Sequence, residues 1–379
     1  MRVTWDIFCR VIDNFGDIGV TWRLAQQLNQ EHGFAVRLWV DDLSAFHAIC
    51  PTVSTTAHQQ MIAGVEICWW RADSPALLQQ YCADVVIEAF ACQLPAVYID
   101  LMRAKNNVLW LNLEYLTAES WAAECHALPS MQGTGLQKYF FFPGFTEQTG
   151  GLLREASLLS QRDAFLTSEV QQAEFLASID VQTEPSERLI SLFAYANPAL
   201  PSWLDALSSD TCINHILLLQ GPLIPILAEY FALPELQQER IYQRGNLKIQ
   251  VLPYIEQENF DRLLWSCDFN CVRGEDSFVR AQWAAKPFLW HIYPQQDDAH
   301  LDKLQAFLSI YNKELDDEPK VALELLWRAW NTAGDMQQAW QQCIEYEKEL
   351  QKHAIDWCER QRKLPDLATK LACFYQDWL

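Results

Sequence analysis

The chain has 379 residues, with 28 Lys and Arg against 49 Asp and Glu, a formal charge of −21. Half of the residues are hydrophobic and a fifth are charged, which is the composition of a folded protein. So negative a chain argues against sequence-independent nucleic-acid binding, which needs clustered Lys and Arg, and against docking on an anionic membrane.

The length suggests two domains with separate cores. Apolar runs are short: Ile216 to Leu219 is hemmed by His215 and Gln220, far below the ~20 residues of a membrane span. Asp6 interrupts the start before a signal-type apolar stretch can form, so a cytoplasmic protein is expected. The 12 Cys include no Cys-x-x-Cys, and several (Cys9, Cys68, Cys82, Cys212, Cys358, Cys373) sit singly in apolar stretches. They read as buried free thiols of a reducing compartment. The 8 His show no ligand spacing, and no metal site is expected.

The first half alternates strand and helix. Residues 3–9 form a strand of β-formers, and a glycine-containing loop leads into a helix over 18–28, where Ile18, Trp22, Ala25 and Leu28 recur at helical spacing. Further strands are predicted at 35–40, 65–70, 83–88 and 108–113, with a short helix after Asp41 and Asp42 running to Ile49. A loop-rich stretch containing Gly133, Gly135, Gly144, Gly150 and Gly151 follows, then a polar linker over 182–187. Beyond it the pattern restarts, with strands at 188–193, 213–219, 247–252, 269–272 and 287–291 separated by helices. Near-continuous apolar strands interleaved with helices imply parallel sheets covered on both faces. Three regions are expected: an N-terminal Rossmann-like domain over 1–181, a second over 188–333, and a helical tail over 334–379, broken at Pro365, whose last helix returns to the first domain. Open α/β sheets bind ligands at their strand carboxyl ends, so the expected site is a cleft between the two sets.

Two loops carry the chemistry. Asp13-Asn14-Phe15-Gly16-Asp17-Ile18-Gly19 lies where a dinucleotide fingerprint would stand, but Asn14 replaces its first glycine. Asp13 and Asp17 would repel a pyrophosphate from that helix start. The same carboxylates suit a general base or a cationic acceptor; alternatively Asp17 is an N-cap and Asp13 a turn residue. Arg273-Gly274-Glu275-Asp276-Ser277 opens a helix in the second half. Gly274 permits a tight turn, N–H groups near Ser277 can hold a diphosphate, and Glu275 can accept hydrogen bonds from sugar hydroxyls. The plain alternative is that Glu275, Asp276 and Ser277 are ordinary helix-start residues. Phe193, Tyr195 and Tyr254 lie at or just past strand ends, where rings stack on a base or simply fill a core. Gln257 either reads a base edge or is a solvated residue of a first helical turn.

The early Asp13 to Gly19 motif and the late Arg273 to Ser277 motif together resemble the EarP family, bacterial arginine rhamnosyltransferases that modify elongation factor P, and the resemblance runs along essentially the whole chain. It implies an α/β, GT-B-type fold of two Rossmann-like domains facing across a cleft. It also implies inverting transfer of rhamnose from dTDP-β-L-rhamnose to an arginine of elongation factor P, with no metal or cofactor. Carried over by motif, Asp13 and Asp17 are needed for activity, with Asp17 as general base. Glu275, Asp276 and Ser277 contact the donor diphosphate and sugar. Phe193, Tyr195, Tyr254 and Gln257 hold the nucleoside, and Asn14, Phe15 and Gly16 complete the substrate loop. Glu275 counts with the two aspartates as catalytic. The alternatives are a GT-B transferase with another nucleotide sugar and a small-molecule acceptor, or a non-catalytic nucleotide-sugar-binding protein.

Overall fold

The computed structural model describes residues 2–12, 15–71, 78–79, 81–105, 107–133, 135–184, 186–238 and 240–379. Asp13 and Asn14, singled out above, lie outside the described residues.

Contacts divide the chain into Met1–Ala156 with Lys363–Leu379 as one unit and Ser157–Arg362 as the other. The first unit is built on β1 (Thr4–Cys9), β2 (Ala35–Val40), β3 (Gln59–Ile62), β4 (Val65–Trp69), β5 (Val85–Ala89), β6 (Leu109–Leu113), β7 (Pro129–Met131) and β8 (Gln137–Phe141). Its helices are α1 (Gly16–Gln30), α2 (Leu43–Ile49), α3 (Ala96–Lys105), α4 (Ser120–Cys125) and α15 (Leu367–Trp378).

The strands form a sheet in the order β3-β4-β2-β1-β5-β6-β8-β7. All pairs are parallel except β3 with β4 and β7 with β8, the two edges. The parallel strands, counted along the chain, therefore stand 3-2-1-4-5-6, and the switch point falls between β1 and β5. Side chains alternate across β1. Trp5, Ile7 and Cys9 enter one apolar layer with Leu24, Leu28, Leu371 and Tyr375, whereas Phe8 enters the other with Trp39, Tyr98 and Met102. Fully burying each of these side chains stabilises the fold by about 1.5–3 kcal/mol. On the second face Asp6, in register with Arg37 of β2, accepts from its Nε at 2.6 Å and its Nη2 at 2.5 Å.

The second unit has the strands β9 (Glu187–Leu192), β10 (Ile213–Leu218), β11 (Ile241–Arg244), β12 (Leu247–Val251), β13 (Phe269–Arg273) and β14 (Phe288–His291). Its helices are α5 (Leu158–Leu166), α6 (Glu169–Ser178), α7 (Leu200–Ser208), α8 (Ile224–Tyr230), α9 (Gln257–Ser266), α10 (Asp276–Ala284), α11 (Ala299–Tyr311), α12 (Asp317–Asn331), α13 (Met336–Ile344) and α14 (Glu347–Gln361). The sheet order is β11-β12-β10-β9-β13-β14, parallel except at the β11 edge, with the switch point between β9 and β13. Aromatic packing dominates this core: Phe278 stacks on Trp290 with centroids 3.9 Å apart, and Trp203 meets Trp330 and Trp340 edge-on.

Two boundaries differ from those expected. Residues 157–181 belong to the second unit, because Phe165 of α5 packs on Trp265, Arg162 donates to the Trp283 carbonyl at 2.8 Å, and Gln250 donates to the Asp180 carbonyl. The tail is split: α13 and α14 stay with the second unit, and residues from Lys363 join the first. There Asp366 caps α15 and accepts from Gln27 of α1, and Leu367 N–H donates to the Leu152 carbonyl.

Four strands are absent from the expected set. β3, β7 and β11 are edges of three or four residues with largely exposed side chains, so they lack an apolar run. β8, Gln137–Phe141, is half-exposed and follows the glycine-rich loop, which hid it. All 12 cysteines are free, but Cys373 is exposed and Cys50, Cys82, Cys125 and Cys212 are half-buried, because each lies near an element's end or outer face. No described helix is long and apolar enough to cross a membrane.

Candidate active site

At the switch point of the first sheet, the loop after β1 leads into α1. Phe15 stands at the N-cap, Gly19 N–H donates to its carbonyl at 2.9 Å, and the Phe15 side chain makes no capping bond. Asp17, one residue into the helix, is 2 % exposed. Instead of capping, its carboxylate turns back over the loop: Oδ2 accepts from Ile12 N–H at 2.8 Å, and Oδ1 accepts from the Tyr115 hydroxyl at 3.3 Å. The helix start holds that charge favourably, because the macrodipole is positive there. The thiol of Cys9, at the end of β1, is pushed well up by burial, and the Asp17 charge adds to the rise. Phe15 and Gly16 are half-buried beside it.

Tyr115 follows β6. Its ring stacks on Phe90 with centroids 4.5 Å apart and planes at 14°. Phe90 begins the turn after β5, the other strand of the switch point. Phe90, Ala91 and Gln93 adopt φ of 55°, 52° and 60°, where residues other than glycine are uncommon. The turn is held by Phe90 N–H to the Leu113 carbonyl at 2.7 Å, Gln93 N–H to Glu88 at 2.9 Å, and the Cys92 thiol to the Phe8 carbonyl at 3.3 Å. Glu88 is buried and paired with Lys138 at 3.0 Å. Sequence reading missed Tyr115; its position just past a parallel strand was the available signal.

At the switch point of the second sheet, β13 turns into α10 through Gly274, whose φ of 59° and Trp290 Nε1–H bond to its carbonyl fix a tight reversal. Glu275 is the N-cap residue, half-buried, with no side-chain cap. The N–H groups of Asp276, Ser277 and Phe278 precede the first bond of the helix ladder, Val279 N–H to the Glu275 carbonyl. The Ser277 hydroxyl accepts from Arg273 N–H at 3.0 Å and donates to the Arg273 carbonyl. Gln257, the first residue of α9, donates to Asp276 Oδ2 at 3.4 Å. The helices bearing these two residues are clamped by Arg280, which meets Asp261 through two bonds of 2.6 Å in a buried pair.

Phe193 and Tyr195 follow β9, and both are half-buried. The Arg273 guanidinium lies 4.3 Å from the Phe193 centroid and 4.8 Å from that of Tyr195, a cation–π arrangement on both rings. Tyr195 also meets His291 and Tyr293 edge-on. Burial and the Arg273 charge push the His291 imidazole down to about 4. Tyr254 is half-exposed in the loop between β12 and α9. The second unit thus brings Phe193, Tyr195, Gln257, Glu275, Asp276 and Ser277 to the carboxyl ends of one sheet, with Arg273 among them. The first unit does the same for Phe15, Gly16 and Asp17.

The sequence model of the family described as Elongation-Factor P (EF-P) rhamnosyltransferase EarP matches residues 5–376. A protein-arginine rhamnosyltransferase of Pseudomonas putida is 55% identical over 380 residues, covering 100% of both chains. A solved structure from work on EarP-mediated arginine glycosylation of translation elongation factor EF-P is 43% identical and covers 100% of both chains with a TM-score of 0.73. MurG of Acinetobacter baumannii, 13% identical with a TM-score of 0.51 over 100% of both chains, shares the fold, which is of the GT-B type.

Proposed function

Since this chain belongs to the EarP family and is a protein-arginine rhamnosyltransferase, we propose that it moves rhamnose from dTDP-β-L-rhamnose to one arginine of elongation factor P, inverting the sugar's C1. The observation that carries this reading is the pair of switch points of opposite character. One presents a buried carboxylate beside a helix start, and the other a helix start preceded by an arginine and half-buried rings.

The acceptor is a guanidinium with a pKa above about 12, which is not deprotonated in advance. Asp17 orients it by charge-assisted hydrogen bonding and takes its proton as the new bond forms. The guanidinium nitrogen attacks C1, the C1–oxygen bond breaks, and the electron pair leaves with dTDP. Asp13, which like Asn14 lies outside the described residues, shares the hold on the cation in this reading, and Asn14, Phe15 and Gly16 belong to the substrate-binding set. The N–H groups of Asp276 and Ser277 stabilise the departing diphosphate, which makes a metal unnecessary. Glu275 accepts from the sugar or the nucleotide. Phe193 and Tyr195 hold the base, and Tyr254 and Gln257 complete that site.

The test is incubation of the protein with dTDP-rhamnose and elongation factor P, followed by mass analysis. The expected result is a gain of one deoxyhexose on a single arginine peptide, unchanged by EDTA. No gain, or a gain with other nucleotide sugars only, refutes the reading.

A further inference from the structure

Two of the hydrogen bonds that Asp17 accepts come from different parts of the first unit. One is backbone, the Ile12 N–H at 2.8 Å; the other is the Tyr115 hydroxyl at 3.3 Å. The backbone bond ties the carboxylate to its own loop. The Tyr115 bond ties it across the switch point, because Tyr115 follows β6, separated from β1 by β5. A phenol ring reaching that far needs its own support. Phe90 supplies it, parallel to within 14° at 4.5 Å, a stacked contact that adds to what burial alone provides.

Phe90 itself stands in a left-handed conformation, within a turn that has two more non-glycine residues at positive φ. Such conformations are costly and persist where the surroundings over-determine them. Here the surroundings are named: Leu113 and Phe8 carbonyls, the Glu88 carboxylate, and Lys138 behind Glu88. The strain is therefore maintained against an ordinary turn, and what it aims is the ring under Tyr115.

We propose that Tyr115, seated on Phe90, is a positioning residue that fixes the Asp17 carboxylate for the acceptor guanidinium. The inference rests on the reading of Asp17 given above. The Ile12 bond holds one oxygen of the carboxylate. A second anchor on the other oxygen selects one orientation, and orientation is where much of the rate of a bimolecular transfer resides. The 3.3 Å length suits this role, since such bonds often tighten only in the complex with substrate.

The test is steady-state transfer to elongation factor P by the wild-type protein, Tyr115→Phe, Phe90→Ala and the double variant, with dTDP affinity and melting temperature measured on each. Tyr115→Phe keeps the stacked ring and removes only the hydroxyl. It is expected to lower kcat about tenfold, with dTDP affinity and melting temperature unchanged. Phe90→Ala lowers kcat by less, and the double variant is no slower than Tyr115→Phe, because both changes act through one hydroxyl. Tyr115→Phe with kcat within twofold of wild type overturns the inference while leaving the reading of Asp17 intact. So does a loss confined to dTDP affinity or to melting temperature. Multiplicative losses in the double variant overturn the link through Phe90. A wild-type protein that transfers nothing overturns the reading of the site, and this inference with it.

Discussion

The two sheets share a topology and differ in what stands at the switch point. After β1 the chain enters α1 with a buried carboxylate, Asp17, one residue inside the helix. After β13 it enters α10 directly behind Arg273, whose guanidinium lies over two rings. The strand order 3-2-1-4-5 is common to both, so architecture alone does not say which sheet takes which substrate. Charge does. A carboxylate at a helix start welcomes a cation, and an arginine behind a helix start welcomes an anion.

The sharpest way to break this contrast is Asp17→Asn. It keeps the size of the side chain and is expected to reduce transfer by roughly 10²–10⁴-fold. Titration of the same preparation with dTDP should give the wild-type affinity. Loss of dTDP binding would instead reverse the assignment of the two switch points.

The next effect concerns two buried ion pairs. Asp6 with Arg37 joins neighbouring strands in the first unit, whereas Asp261 with Arg280 joins α9 to α10 in the second. Asp6→Ala and Asp261→Ala each remove the carboxylate that faces a buried guanidinium, a loss of about 3–5 kcal/mol in urea unfolding. Only Asp261→Ala should also weaken dTDP, because only that pair sets the spacing of Gln257 and the α10 start. Equal effects on dTDP would remove that distinction.

A smaller effect is expected at the rings. Tyr195→Ala and Phe193→Ala should each weaken dTDP by ~1–3 kcal/mol if a base stacks there. Calorimetry decides, and unchanged affinity in both variants returns the rings to the core.

Much of this was legible in the sequence. The strands bearing both switch points were long apolar runs, and their following loops held the acids, the glycine and the rings. The order of strands within each sheet was not, since β8 carries polar Gln137 and Lys138 and the edges are exposed. Nor could the sequence separate a capping Asp17 from one folded back onto Ile12, because both begin from the same residue at a helix start. Ser277 was legible as a helix-start residue, yet its hydroxyl is engaged with the Arg273 backbone. Tyr115 offered only its place just past a strand, and neither it nor Phe90 could be tied to Asp17 before the pairing of β1, β5 and β6 was known.

Another effect is expected on stability at mildly acid pH. Burial holds His126 of the first unit, and His291 and His353 of the second, down to about 4, and lowers His215 as well. Above about pH 6.5 the folded and unfolded states are both neutral at these residues. Below it only the unfolded state takes up protons, so stability falls as the pH drops from about 6.5 toward 4. Melting temperatures measured across that range should decline, and His291→Asn should lessen the decline. With His215, His291 and His353 all in the second unit, that unit should lose its cooperative structure first.

The split of the tail has a consequence for biosynthesis. The layer around Trp5, Leu24 and Leu28 includes Leu371 and Tyr375, yet the whole second unit, Ser157–Arg362, is made between them. At about 5–20 residues per second, the ribosome adds those roughly two hundred residues in about 10–40 s. For that interval the nascent first unit shows an apolar stripe along α1 that its own helix has not yet arrived to cover. The second unit, contiguous in sequence, can close as soon as it emerges. The part of the enzyme synthesised first is thus completed last.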